Sequence, residues 1–106
     1  MVAIEGSSTG QGLPDFVDRL RRLLPGLSRK YHVKSLALFG SYVRQEQTED
    51  SDLDILVEFD EPPSLFEFIR LETLLAESLG VKVDLVMKAA LKPAIGSRIL
   101  QELVPV

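Results

Sequence analysis

A small α/β domain of the α+β kind, with a mixed sheet of about three to four strands flanked by helices, is predicted by three observations. Helix-like and strand-like segments alternate from one end of the chain to the other, the pattern of a sheet covered by helices. The strand-like runs are short, so the sheet is small. The link between the first two runs is short for a standard crossover, so the pattern alone does not separate parallel from antiparallel pairing, and a mixed sheet is expected. At 106 residues the chain supplies one modest core and a single domain.

Residues 1–12 include Glu5-Gly6-Ser7-Ser8-Thr9-Gly10-Gln11-Gly12, with no apolar periodicity, and are expected to form a flexible leader to a domain spanning 13–106. Pro14 suits the first turn of a helix in which Phe16, Val17, Leu20, Leu23 and Leu24 recur at helical spacing, and Pro25-Gly26 is expected to end it. Val33 to Phe39 is short and mostly apolar, reads as a buried strand, and stops at Gly40. After a turn at Gly40-Ser41, a short helix is expected over 42–47 and a loop over 47–51. Asp52 to Phe59 reads as a second strand, with Leu53, Ile55 and Val57 on one face and Asp52, Asp54 and Leu56 on the other. Asp60-Glu61-Pro62-Pro63 breaks the chain. Ser64 and Glu67 form a capping box that opens a helix through Leu65, Phe68, Ile69, Leu71, Leu74, Leu75 and Leu79, ended by Gly80. Val81 to Met87 is a third strand interrupted by Asp84, and Lys92-Pro93 opens a last helix carrying Ile95, Ile99, Leu100 and Leu103 before an extended end at Val104–Val106.

Sixteen acids against twelve bases argue against general nucleic-acid binding, which draws its affinity from clustered Lys and Arg. The absence of cysteine excludes disulfides, thiolate metal sites and a cysteine nucleophile. No apolar run approaches the ~20 residues that span a bilayer, and the Met1-Val2-Ala3-Ile4 start lacks a basic, apolar signal pattern. A cytoplasmic protein with no membrane contact is expected.

The chemistry is concentrated between Phe39 and Asp54. Asp52 and Asp54, at i and i+2 on a strand, place two carboxylates on one face, where they repel one another unless a cation lies between them. Mg²⁺ takes such oxygen ligands together with phosphate and water. Asp84, set in an apolar strand, could complete the site as a ligand or as a general base. Gly40 and Ser41, at a strand-to-helix transition, offer backbone N–H groups and a hydroxyl to phosphate, and Arg44 one turn later could neutralise phosphate charge or pair with an acid. Glu46, Glu49 and Asp50 could add acids to the site but read first as a solvated acidic loop, His32 reads as a surface connection, and Lys88 and Lys92 follow the Asp84 strand closely enough to touch phosphates but read first as soluble surface.

Gly40-Ser41-Tyr42-Val43-Arg44 followed by Ser51-Asp52-Leu53-Asp54 resembles the Gly-Ser, Asp-x-Asp signature of the DNA polymerase β-type nucleotidyltransferase superfamily, and the short chain resembles its minimal nucleotidyltransferase (MNT) branch. The likeness runs from about Val33 onward and includes Asp84 at the place of the third carboxylate. Members of this branch are typically encoded beside HEPN-domain proteins and act as antitoxins, some by transferring AMP from ATP to a tyrosine of the HEPN RNase toxin. The resemblance implies a polymerase β-like fold, two Mg²⁺ ions on Asp52, Asp54 and Asp84, triphosphate on Gly40 and Ser41, and a hetero-oligomer with a HEPN toxin. It also exposes a departure: the family's Ala-Arg-Gly is here Val43-Arg44-Gln45, which loses a glycine at the helix-to-loop turn. Two other functions compete: neutralisation of a toxin by contact alone, and nucleotidyl transfer to a small molecule, for which related enzymes usually carry an extra domain.

Overall fold

The structure, a computed structural model, describes residues 12–106. Along them run α1 (Leu13–Tyr31), β1 (Val33–Phe39), α2 (Ser41–Arg44), β2 (Leu53–Phe59), α3 (Leu65–Leu79), β3 (Val83–Met87), a 3-10 turn (Lys88–Ala90), α4 (Pro93–Glu102) and β4 (Val104–Pro105). The leader expected over 1–12 lies outside the described residues except for Gly12, whose carbonyl accepts the N–H groups of Asp15 and Phe16 at the start of α1.

The helix expected to end at Pro25-Gly26 continues to Tyr31. Proline inside a helix is unfavourable by about 3 kcal/mol because it removes a backbone bond and crowds the preceding turn. Continuing the helix buries Leu27 and Tyr31 on the stripe begun by Phe16 and Leu20, and a buried leucine alone contributes roughly 1.5–3 kcal/mol. Pro25 and Gly26 face solvent, so the break is tolerated. His32 then caps α1 with a left-handed backbone, φ 60°, and its side chain is exposed.

Among the described residues the strands form a mixed four-stranded sheet in the order β3-β2-β1-β4. The short link through α2 makes β1 and β2 antiparallel, whereas α3 carries the chain across so that β2 and β3 run parallel. The extended end becomes β4, pairing antiparallel with β1 at Ala37↔Pro105 and Leu38↔Val104. The capping box is present: Ser64 Oγ accepts the Glu67 N–H at 3.1 Å and Glu67 Oε1 accepts the Ser64 N–H at 3.0 Å.

The two sheet faces are unequal. Leu38, Leu53, Ile55 and Val57 are fully buried beneath α1 and α3, where Phe16, Leu20, Leu71, Leu75 and Leu79 fill the main core. The opposite face carries a smaller cluster of Ala37, Phe39 and Leu56, against which Ile99 and Leu103 of the α4 segment pack. Strand alternation puts Asp54 on the face of Leu56, and Asp84 on the face of Val86. Both acids therefore lie on the lightly covered side, beyond the small cluster. No helix among the described residues is long and apolar enough to cross a membrane.

Candidate active site

Gly40 ends β1 with φ 84° and ψ −156°, a backbone region essentially restricted to glycine. It swings the chain into α2, whose Tyr42 ring meets Phe16 of α1 edge-on with centroids 5.8 Å apart, fixing the turn to the core. Gln45 closes α2 with φ 60°, ψ 38°, so the residue standing where the resembling family has glycine does adopt the left-handed conformation. The following loop is tied by Thr48 and Ser51: the Thr48 N–H donates to Ser51 Oγ at 2.9 Å, and the Ser51 N–H donates to the Thr48 carbonyl at 3.1 Å.

This turn meets the acids because of the sheet register. Phe39 is opposite Asp54 across the antiparallel pair, and Asp54 is in register with Asp84 across the parallel pair. Gly40, Asp54 and Asp84 are thereby brought together at one end of three neighbouring strands. Asp52 precedes β2, which begins at Leu53 rather than at Asp52, and it is exposed, as is Asp84. Asp54 is half-buried, and burial, followed by the negative charges of Asp84 and Asp52, pushes its carboxyl up to about 6. A Cβ on Gly40 would overlap Asp54 Oδ2, so only glycine leaves the space beside that carboxylate open.

These features fit a divalent cation whose shell is completed by a ligand. Asp54 feels the negative charges of Asp84 and Asp52 at this strand end, and a cation would relieve that repulsion. Among the described residues no three His, Cys, Asp or Glu side chains are gathered closely enough to hold an ion by themselves. Mg²⁺ usually takes one or two carboxylates plus phosphate and water, and so needs no such cage.

Arg44 turns toward acids. Its Nε donates to Glu46 Oε1 at 2.9 Å, and its Nη1 reaches both carboxylate oxygens of Glu102 at 3.0 and 3.1 Å. Hydrogen bonds to Glu46 and then Glu102 raise its already high proton affinity. Glu102 Oε2 also accepts the Gly40 N–H at 2.6 Å. Partial burial pushes the Glu102 carboxyl up, but the Gly40 N–H and Arg44 outweigh it and hold the group below the usual carboxylate range. Phe39, Gly40, Arg44, Asp54, Arg98, Ile99 and Glu102 line a polar cavity of about 240 Å³. A larger cavity of about 440 Å³ beside α3 is lined by Pro63, Leu65, Phe68, Leu85 and Met87 among others, with no titratable side chain, and offers no chemistry.

Sequence reasoning therefore places Gly40, Ser41, Arg44, Asp52, Asp54 and Asp84 around one strand end, with Ser41 as the half-exposed first residue of α2. Glu102 and Arg98, not singled out in the sequence, line the same polar cavity, and Glu46 stands in the exposed loop expected for it while accepting from Arg44. The available signal was the i, i+4 spacing of Arg98 and Glu102 beside the apolar stripe of α4. Lys88 reaches Glu58 at 3.8 Å, a surface pairing away from Gly40.

The model of the nucleotidyltransferase domain family matches residues 20–106. A protein adenylyltransferase, MntA, of Thermococcus cleftensis is 53% identical over 74% of this chain and 79% of its own length. The solved structure of a minimal nucleotidyltransferase superposes with a TM-score of 0.75 at 36% identity, covering 90% of this chain and 96% of that one. A chain of the complex between tri-AMPylated Shewanella oneidensis HEPN toxin and MNT antitoxin superposes with a TM-score of 0.63 at 21% identity, over 85% of this chain and 67% of that one, a likeness of fold.

Proposed function

The chain belongs to the nucleotidyltransferase domain family, and from that premise we propose that it transfers AMP from ATP, with Mg²⁺, to a tyrosine hydroxyl of a HEPN RNase toxin and so acts as that toxin's antitoxin. The observation that carries this reading is the in-register pair Asp54 and Asp84 beside the Gly40 turn, with Asp52 one strand position before the sheet. The adenylyltransferase name of the T. cleftensis relative supports the reaction class, and the AMPylated partner in the S. oneidensis complex supports the acceptor.

In this reading Asp52, Asp54 and Asp84 hold the divalent ions. Gly40 and Ser41 bind the triphosphate, and Arg44 balances its charge. The acceptor oxygen forms its bond to the α-phosphorus while the bond to the α–β bridging oxygen breaks, and pyrophosphate departs. Asp84, which is exposed, takes the proton of the incoming hydroxyl in this reading. When bound, the metal supplies charge neutralisation at the attacking and leaving oxygens. The side chains of Asp52 and Asp54 fix where that charge sits.

The test is the intact mass of the HEPN partner after co-expression with wild type or with Asp52→Asn/Asp54→Asn. Increments of whole AMP units with wild type alone are expected. An unmodified partner that co-purifies with both versions would favour neutralisation by contact. That second reading has its own observation: Leu65 and Phe66 on α3 are 72% and 79% exposed, an apolar surface suited to a protein partner.

A further inference from the structure

Four carboxylates surround the Gly40 turn, and the one that accepts its N–H comes from the far end of the chain. Glu102, the last residue of α4, accepts the Gly40 N–H at 2.6 Å and engages Arg44 Nη1 through both oxygens. Arg98, one helical turn earlier, lines the same cavity. A carboxylate held by a backbone N–H and a guanidinium, with a second guanidinium alongside, occupies the kind of place a phosphate oxygen takes.

We propose that Glu102 is an internal stand-in for phosphate, which in the nucleotide-free chain occupies Gly40 and Arg44 and must be displaced when a triphosphate binds. The inference rests on the nucleotidyl-transfer reading above and names the residue that sets nucleotide affinity at that site. Gly40 has a single N–H, which cannot serve Glu102 and a phosphate together. The two anions would also repel one another across the same guanidinium. At about 240 Å³ the cavity is smaller than the roughly 300–1,000 Å³ of ordinary ligand sites, and Glu102 is part of its wall, so its departure enlarges the space. Departure is feasible because Glu102 closes α4, where a side-chain rotation leaves the helix intact. Arg44 Nη1 is then freed for the incoming phosphates while Nε stays on Glu46, and Arg98 already lines the same cavity.

The experiment is calorimetric titration of the full chain with Mg²⁺ and the non-hydrolysable analogue AMP-PNP, comparing wild type, Glu102→Gln and Glu102→Ala. Gln keeps the shape and an oxygen for Gly40 but removes the charge, whereas Ala removes both. Affinity is expected to rise about fivefold in Gln and more than about tenfold in Ala, since removing a competing anion removes an unfavourable coupling. A merely structural Glu102 would lower affinity instead. Equal or weaker binding by both variants, with wild-type binding intact, overturns the inference and leaves the nucleotidyl-transfer reading standing. No AMP-PNP binding by any chain defeats both. A second measurement needs no substitution: on adding AMP-PNP to labelled wild type, the Glu102 carboxylate carbon and the Gly40 amide must shift together in NMR spectra. Movement of Gly40 with a static Glu102 overturns the inference.

Discussion

Gly40 leaves open the space that a side chain would take from Asp54: a Cβ built there would fall on Oδ2 and lie 2.9 Å from Cγ. Its backbone is also one that L residues avoid. Gly40→Ala is therefore expected to lose about 1–3 kcal/mol of stability from the backbone alone, with further displacement of the Asp54 carboxylate. Urea unfolding should show the lower midpoint, and AMP transfer should be lost even at temperatures where the variant is folded.

Asp54 makes metal-free stability depend on pH. Its folded carboxyl, at about 6, lies above the ~3.9 of an unfolded chain, so the native state binds the proton more tightly. The resulting stabilisation is complete below about pH 4 and is lost as pH rises through 6. Because the group is more than a third exposed, solvent screening reduces the effect to about 1 kcal/mol. In EDTA, Asp54→Asn should be more stable than wild type at pH 7.5 and comparable near pH 4, while lacking AMP transfer. Mg²⁺ should raise the wild-type Tm at pH 7.5 and leave that of the variant nearly unchanged.

Gln45 holds the left-handed position that ends α2. An L side chain there is unfavourable by about 1–2 kcal/mol, partly offset by the greater freedom of glycine in the unfolded chain. Gln45→Gly should therefore stabilise the protein by about 0.5–1 kcal/mol, read as a higher urea midpoint with an unchanged slope. A fall in stability would show that Gln45 makes compensating contacts.

Ser64 and Glu67 satisfy each other's N–H groups at the start of α3, far from the aspartates. Ser64→Ala should lower stability by about 1 kcal/mol without altering AMP transfer measured well below the melting temperature. Ser64→Asp, which retains a capping oxygen, should restore most of the loss.

Features that depend on neighbours in sequence could be read from the residues. The alternation of Leu53, Ile55 and Val57 with Asp54 and Leu56 announced both the strand and its acidic face, because side chains on a strand alternate every residue. The capping box of Ser64 and Glu67 and the stop at Gly80 were likewise local, spanning one helical turn each. The Gly40-Ser41 turn and the order of the three aspartates were legible for the same reason.

Tertiary structure alone decided the rest. Continuation of α1 through Pro25 depended on a core able to receive Leu27 and Tyr31, and no local signal reports that. The pairing of Asp54 with Asp84 depended on a parallel register set by how α3 packs across the sheet. The contact of Glu102 with Gly40 joins residues 62 apart, by way of a helix whose apolar stripe specified that it packs but not which polar flank would meet the turn. Periodicity within a segment states which face is buried. The register between segments is settled only when the whole core closes.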